Sequence, residues 1–194
     1  DAQWTQGMKK AINIWAFPGG LAGETDIVDA MREAKDVGFA GIELSIAAEG
    51  VLTHKTSEAH CRTLRKAARE IDIEIVGVAT GQLWAWPLTD PSKRGQERAR
   101  KFVAAALERT AWLGAKVMLV VPGCVHADFI PNCPEVPYDF VYKTARAQLR
   151  RLAKVAERVK VTIGVENVWN KFLYSPLEFR DFIDSIGSRR VGAY

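Results

Sequence analysis

The sequence has few cysteines, no long apolar run and no large excess of either charge. Its three cysteines, Cys61, Cys124 and Cys133, are odd in number and lack Cys-x-x-Cys spacing, which argues against a disulfide framework and a structural zinc site. Apolar runs such as Val117 to Val121 are far shorter than the roughly 18 residues of a membrane-spanning helix. We therefore expect a soluble protein of the reducing cytoplasm, with no membrane partner.

The net charge of +4 on 194 residues is small, and the basic side chains cluster on two predicted helices. These basic residues are Arg62, Arg65, Lys66 and Arg69 on one helix and Arg146, Arg150, Arg151, Lys154 and Arg158 on the other. Acidic residues such as Glu70 and Glu157 stand among them, and no aromatic residues are interleaved as a base-stacking surface requires. The pattern favours solvated outer helix faces, and no nucleic-acid partner is expected.

Short apolar segments alternate with amphipathic segments along the chain. The apolar segments begin near residues 11, 41, 73, 116, 161 and 191, and the segments between them have helical periodicity. The expected N-cap residues are Thr25, Ser57, Ser92 and Ser175, and the expected helix-ending glycines are Gly38, Gly114 and Gly187. Ser175 opens a Ser-Pro-Leu-Glu sequence, which predicts a capping box with proline in the first turn. The alternation predicts a βα repeat and a parallel sheet in the α/β class.

Two parallel architectures fit this repeat, a doubly wound sheet and a (β/α)8 TIM barrel. The barrel is favoured because no glycine-rich nucleotide loop follows the first strand, no linker divides the chain and the unit is uniform. A complete barrel takes about 250 residues. We therefore expect residues 8–194 to form the N-terminal part of a single TIM-barrel domain with about five and a half βα units. Residues 1–7 lack an apolar period and are interpreted as a tail or an expression remnant.

In a parallel barrel the functional residues lie at the C-terminal ends of the strands. The candidates selected by this rule are Trp15, Glu43, Trp84, Trp86, His126, Glu166, Asn167, Asn170 and Lys171. Aromatic walls combined with amides and carboxylates suit a small polyhydroxylated ligand. Glu166 is the strongest candidate, because a carboxylate that follows the apolar strand VTIGV is costly to bury without a cation, a metal or several hydrogen bonds.

Structural explanations for the same residues remain open. Glu166 and Glu43 could each form an ion pair with a nearby lysine or arginine. The tryptophans at 84 and 86 could plug the rim of the barrel, and His126 alone is a weak signal for a functional site.

Four segments, INIWAFPGG, GIELS, ATGQLW and IGVENVWNKFLYSPLEFRDFIDSIGS, resemble the sugar (phosphate) isomerase and epimerase family with a xylose-isomerase-like TIM barrel. That family includes hexulose-phosphate isomerases, ketose 3-epimerases and hydroxypyruvate isomerases. The resemblance runs from about Met8 to Tyr194, and its VENVWNKF segment is the most specific part. The early-strand histidine ligands of the related endonuclease IV barrel have no counterpart here, because the third and fourth strands end in Ala-Thr-Gly and Val-Pro-Gly.

The resemblance implies a divalent metal held by a glutamate, an aspartate, a histidine and a glutamate from strands five to eight. Glu166 matches the strand-five ligand, which would also act as acid and base, and the other three would be expected beyond Tyr194. The implied metal is Mn2+, Mg2+, Co2+ or Zn2+. The implied reaction isomerises or epimerises a small keto sugar or sugar phosphate by proton abstraction beside a carbonyl, through a metal-stabilised enediolate.

A second function is also compatible with the sequence. With one implied ligand in the chain, the protein could be a non-catalytic sugar-binding or scaffold barrel that lacks the metal. In either case we expect a small-molecule sugar as the partner. A homo-oligomer is also compatible with the sequence, because a second copy could cover open edges of a partial barrel.

Overall fold

The computed structural model describes residues 8–194 and contains one parallel sheet; the expected tail at residues 1–7 lies outside the described residues. The strands are β1 (Ala11–Asn13), β2 (Gly41–Ser45), β3 (Glu74–Ala79), β4 (Val117–Val120), β5 (Thr162–Val165) and β6 (Val191–Ala193). The helices are α1 (Ile27–Asp36), α2 (Glu58–Ile71), α3 (Gln82–Ala85), α4 (Lys93–Leu113), α5 (Tyr138–Val159) and α6 (Pro176–Ile186), with a 3-10 turn at Ile14–Ala16. The predicted βα alternation is confirmed.

Local capping chemistry sets most helix boundaries where the sequence predicted them. The side chains of Ser57, Ser92 and Ser175 each accept a hydrogen bond from a backbone N–H in the first turn of their helix. The predicted cap at Thr25 is wrong. Asp26 caps α1 by accepting hydrogen bonds from two backbone N–H groups, whereas the Thr25 hydroxyl donates to a carbonyl in the preceding loop. Either residue type can cap a helix, and the turn before α1 decides between them.

The predicted glycine ends are also present. Gly38, Gly114 and Gly187 have φ values of +90°, +85° and +74°, in the left-handed region that a residue with a Cβ atom rarely adopts. Two features were missed because they are short: β1 gives way to the 3-10 turn after Asn13, and α3 lies in the connection after β3, where no helix was predicted.

The six strands are hydrogen-bonded in chain order from β1 to β6, and every pair is parallel. Four strand spacings separate β2 from β6, which would be about 19 Å in a flat sheet. Nevertheless Tyr194, which directly follows β6, donates a hydrogen bond from its hydroxyl to Glu43 on β2. A tyrosine side chain cannot span a flat sheet of that width, so the sheet curls with this face inside, as in a TIM barrel.

The helices cover the outside of the curled sheet, and their apolar faces form one core with its outer face. Met31, Leu64, Phe102, Leu149 and Phe182 are fully or almost fully buried beneath successive helices. No helix within residues 8–194 combines the length and the apolar character needed to cross a bilayer.

Candidate active site

Glu43 on β2 is the most buried charged residue in the inner face of the sheet, with 9% of its surface exposed. One carboxylate oxygen accepts a hydrogen bond from the Asn13 side-chain amide on β1, and the other accepts the Tyr194 hydroxyl. Asn13 is itself held, because its side-chain oxygen accepts a 2.8 Å hydrogen bond from the backbone N–H of Trp15. The burial of Glu43 is therefore compensated by two directed hydrogen bonds, without a salt bridge among the described residues.

Two glycines make room for the Tyr194 side chain inside the barrel. A Cβ atom on Gly164 of β5 would lie 2.3 Å from a ring carbon of Tyr194, which is inside van der Waals contact. A Cβ atom on Gly77 of β3 would lie 3.1 Å from a Glu43 carboxylate oxygen and 3.3 Å from the Tyr194 hydroxyl. Burial and the hydrogen bond to Glu43 raise the pKa of Tyr194, so its hydroxyl remains a donor at neutral pH.

Glu166 follows β5 and faces the same interior. Its backbone N–H donates to the Val120 carbonyl at 3.2 Å, so the β4–β5 ladder continues through this residue. Because side chains alternate along a strand, Glu166 lies on the face of Gly164, two residues earlier. Burial raises the pKa of the Glu166 carboxyl, and the nearby charge of Glu43 raises it further. The structure therefore brings two predicted carboxylates from β2 and β5 into electrostatic contact.

The two carboxylates are candidate ligands for the divalent metal that the sequence resemblance implies. Carboxylate oxygens are suitable ligands for such a cation, and the Glu166 side chain has no hydrogen-bond partner within residues 8–194. Both oxygens of Glu43 already accept hydrogen bonds. Within the same residues, no three His, Cys, Asp or Glu side chains are close enough to hold a metal. Glu166 thus fits as one ligand of a cation, but the described residues do not form a complete site.

An aromatic row lies on the loops at the C-terminal ends of β3, β4 and β5. Trp84 meets Phe129 edge to face with ring centroids 4.9 Å apart, and Phe129 meets Trp169 in the same way at 6.1 Å. Phe129 and Trp169 are exposed. Only Trp84 of this row was among the predicted site residues. Trp169 follows β5 but was not among them, and Phe129 was missed because it stands in the middle of a long loop.

His126 and Lys171 meet at Asp128. His126 Nε2 lies 3.2 Å and Lys171 Nζ 3.0 Å from the same oxygen of Asp128. The hydrogen bond from Lys171 lowers the pKa of Asp128 most, and the charges of Lys171 and His126 act in the same direction. Asp128 was missed in the sequence, although its position two residues after His126 was an available signal.

Asn170 and Asn167 hold the loop after β5 in place. Asn170 is fully buried, and its amide donates to the Gly123 carbonyl at 2.8 Å. Its own carbonyl accepts a 2.9 Å hydrogen bond from the backbone of Val125, which links the loops after β4 and β5. Asn167 donates from its side chain to the carbonyl of Leu173.

Trp86 has different neighbours from those of the carboxylates. Its ring packs edge to face on Phe102 of α4 at 5.8 Å, and the Arg98 guanidinium lies over it at 4.8 Å. Trp15 is half-buried and packs against the core next to Asn13.

The sequence of residues 31–194 matches the family model described as "Xylose isomerase-like TIM barrel". No curated protein sequence matches the chain significantly. Among solved structures, the chain is similar to a D-psicose 3-epimerase solved with D-fructose, with 18% identity and a TM-score of 0.81 over 96% of this chain and 62% of that one. The D-psicose 3-epimerase from Clostridium cellulolyticum H10, solved with D-tagatose, has 18% identity and a TM-score of 0.79 over the same shares.

A third similar structure is the 3-keto-D-glucoside 4-epimerase from E. coli, with 19% identity and a TM-score of 0.71 over 96% of this chain and 67% of that one. The chain thus spans about three fifths of the length of the psicose epimerases that it matches. These similarities confirm the expected TIM-barrel fold.

Proposed function

The chain belongs to the xylose isomerase-like TIM barrel family, and from this premise we propose that it is part of a sugar isomerase or epimerase acting on a small keto sugar or sugar phosphate. The observation that carries the proposal is the pair of carboxylates inside the barrel. Glu43 is held by two hydrogen bonds, while Glu166 faces the same space with a raised pKa and no side-chain partner among the described residues. Supported by the solved sugar epimerases, this arrangement suits proton transfer inside the barrel.

In the proposed reaction, the Glu166 carboxylate removes a proton from the carbon beside the carbonyl of the sugar. A raised carboxyl pKa brings an acid and base closer to neutral pH, where it can accept and return a proton. Delivery of a proton by a second acid to the opposite face of the same carbon gives an epimer. Return of the proton by Glu166 to the neighbouring carbon, with loss of the proton of the adjacent hydroxyl as the new carbonyl forms, gives an isomer. A divalent metal, with Glu166 among its ligands, would supply polarisation of the sugar oxygens.

The remaining predicted residues have distinct places in this proposal. Glu43 is held in a fixed position on the inner face, because Asn13 and Tyr194 each donate a hydrogen bond to one of its oxygens. Trp15 and Trp84 supply apolar surface for the C–H face of a sugar. These assignments remain proposals.

The polar residues at the rim divide into two groups. His126, Lys171 and Asn167 are the polar groups available to hydroxyls. Asn170 is fully buried and shapes the rim through Gly123 instead. Trp86 remains a predicted wall residue, and its packing on α4 makes its contact with the sugar the least direct.

The proposal is tested with the intact gene product that contains this chain, assayed with Mn2+ and a panel of ketoses and ketose phosphates in deuterated water. We expect deuterium to enter one ketose at the carbon next to the carbonyl. Glu166→Gln should lower this exchange by about 10²–10⁴-fold, the usual contribution of a general acid or base. Glu178→Gln is the control for the loss of a glutamate carboxylate elsewhere, because Glu178 lies at the start of α6 and accepts the Tyr138 hydroxyl. Absence of exchange with every ketose, or full activity of Glu166→Gln, contradicts the proposal.

The alternative of a non-catalytic sugar-binding barrel is favoured by one observation, the incomplete ligand set within residues 8–194. Calorimetry of the same gene product separates the two functions. Sugar affinity that is lost with a chelator supports the enzyme, whereas affinity that is indifferent to the chelator supports the binder.

A further inference from the structure

Cys124 and Cys133 both lie in the loop between β4 and α5, with eight residues between them. Cys124 and Cys133 are both free and partly buried, and they line the same cavity, close enough to each other to interact. The Cys133 thiol donates a hydrogen bond to the Pro134 carbonyl at 3.7 Å. Cys61, the third cysteine, is fully buried beneath α2. The odd cysteine count had argued against a disulfide framework, but it left open a single pair formed by the fold.

Backbone hydrogen bonds hold the two arms of this loop together. Val136 donates to the Val125 carbonyl at 2.9 Å and closes the loop at its base, next to Cys124. Within the loop, Ile130 donates to Ala127 at 3.1 Å, and Cys133 donates to Ile130 at 3.2 Å, so two successive turns fold the chain back. These backbone hydrogen bonds bring Cys124 and Cys133 close to each other.

A cavity gives small molecules access to both sulfur atoms. It has a volume of about 280 Å³ and is lined by both cysteines, by Trp84 and by four prolines, Pro87, Pro91, Pro131 and Pro134. Its walls are largely apolar, and it contains no lysine or arginine. A small uncharged oxidant fits such a cavity better than a charged one.

We propose that Cys124 and Cys133 form a dithiol modification site that a hydroperoxide converts into an intramolecular disulfide. In the first step a sulfur–oxygen bond forms at Cys133, the peroxide O–O bond breaks and water or an alcohol leaves. In the second step Cys124 attacks that sulfur, the sulfur–sulfur bond forms and the sulfenic hydroxyl leaves as water with the thiol proton. The two thiols lose two electrons in total, and the peroxide gains them. A small dithiol reverses the change.

The surroundings of the two sulfur atoms set the order of these steps. Burial, followed by the charge and the hydrogen bond of Cys133, raises the pKa of Cys124 to about 12, so Cys124 stays protonated while Cys133 is reduced. Oxidation therefore begins at Cys133. Once Cys133 carries the sulfenic acid, Cys124 acts as the resolving thiol.

The site is tested by peptide mapping after mild treatment with hydrogen peroxide and alkylation of the remaining thiols. Tryptic cleavage leaves both cysteines in one peptide, whereas chymotryptic cleavage after Phe129 divides it between them. We expect the two chymotryptic fragments to remain joined until a dithiol is added, and the number of free thiols to fall from three to one per chain. Cys61 is the internal control and should be alkylated only after unfolding.

Two variants test the order of the steps. In Cys124→Ser, a sulfenic acid should persist on Cys133 and be trapped by dimedone. In Cys133→Ser, Cys124 should remain unlabelled under the same conditions. A disulfide that includes Cys61, one that joins two chains, or irreversible oxidation of Cys133 without linkage in the wild-type protein would overturn the proposal. None of these outcomes depends on the proposed sugar chemistry.

Discussion

The protein uses the same pair of side chains, a tyrosine hydroxyl and a glutamate carboxylate, in two very different places. Inside the barrel Tyr194 donates to Glu43, and outside it Tyr138 of α5 donates to Glu178 of α6. In the outer pair every partner is occupied. The Tyr138 oxygen also accepts the Leu173 N–H at 3.1 Å, and Glu178 accepts the Tyr174 N–H at 3.0 Å.

The inner pair differs because a second carboxylate adjoins it. Glu166 lies near Glu43 without a side-chain hydrogen bond among the described residues, and burial followed by the charge of Glu43 raises the pKa of its carboxyl. The outer pair joins two helices and satisfies the start of α6, whereas the inner pair leaves a group able to exchange a proton or bind a cation. The same chemistry is thus structural in one place and a candidate for function in the other, and the neighbouring groups determine which.

The largest effect on the inner pair is expected from Gly164→Ala. Its Cβ atom would overlap the Tyr194 ring, which must move away from Glu43, and such overpacking typically costs about 1–3 kcal/mol of unfolding free energy. Gly192→Ala is the matched control, because Gly192 pairs with Gly164 in the ladder and a Cβ atom there meets nothing within 4 Å. Urea unfolding measures both variants. Equal stability of the two would show that the Tyr194 ring does not occupy this space.

A smaller loss is expected from Tyr194→Phe, which leaves one oxygen of the buried Glu43 without a donor. A buried acceptor without a partner typically costs about 1–3 kcal/mol, and we expect the lower part of this range because Tyr194 is half exposed. The comparison is with Tyr174→Phe, since the Tyr174 hydroxyl has no hydrogen bond within the described chain. If both variants unfold at the same urea concentration, the inner hydrogen bond contributes no stability.

The outer pair, Tyr138 and Glu178, should change the pH dependence of the unfolding free energy at alkaline pH. Burial, followed by the hydrogen bond to Glu178, raises the pKa of Tyr138 to about 12, above the value of about 10 for an unfolded tyrosine. The stability that this shift contributes is fully present below pH 10 and is lost as the pH rises toward 12. Tyr138→Phe should lack this part of the pH dependence in urea titrations between pH 9 and pH 12. Parallel curves for the variant and the wild-type protein would contradict the shift.

The smallest effect is expected from Lys171→Ala at the exposed rim. Lys171 lowers the pKa of Asp128 in the folded protein, so their interaction contributes above the ordinary aspartate pKa and is lost as the pH falls through the lowered value. Because the pair is exposed, we expect only a slight decrease in Tm at neutral pH, and none at acidic pH or in high salt. Calorimetric scans at two pH values test this. A large loss of stability at neutral pH would show that Lys171 has a further structural role.

Much of the architecture could be predicted from local patterns, and the failures have identifiable causes. Ser57, Ser92 and the glycine ends were found because capping depends on residues within one turn of each other. The cap at Asp26 was missed because two adjacent residues could both serve, and a carbonyl in the preceding loop engages Thr25. Helix α3 is only four residues long and has too few turns to show a period.

The candidate site was predicted in part. Glu43 and Glu166 were found because a carboxylate stands out in an apolar strand, and their placement near each other agrees with their shared position at one end of the sheet. Tyr194 and Asn13 were not recognised as partners of Glu43, because 151 and 30 residues separate them from it. The same reason applies to Phe129, which becomes notable only once Trp84 lies against it.

The order and type of the elements follow from local patterns, because hydrophobic period, capping residues and helix-ending glycines act over a few residues. Which side chains meet across the barrel depends on how the whole chain folds. Curling of the sheet brings Tyr194, which follows β6, to Glu43 on β2. The loop between β4 and α5 brings Cys124 close to Cys133. Such contacts depend on the relative placement of distant segments, and no local pattern records that placement.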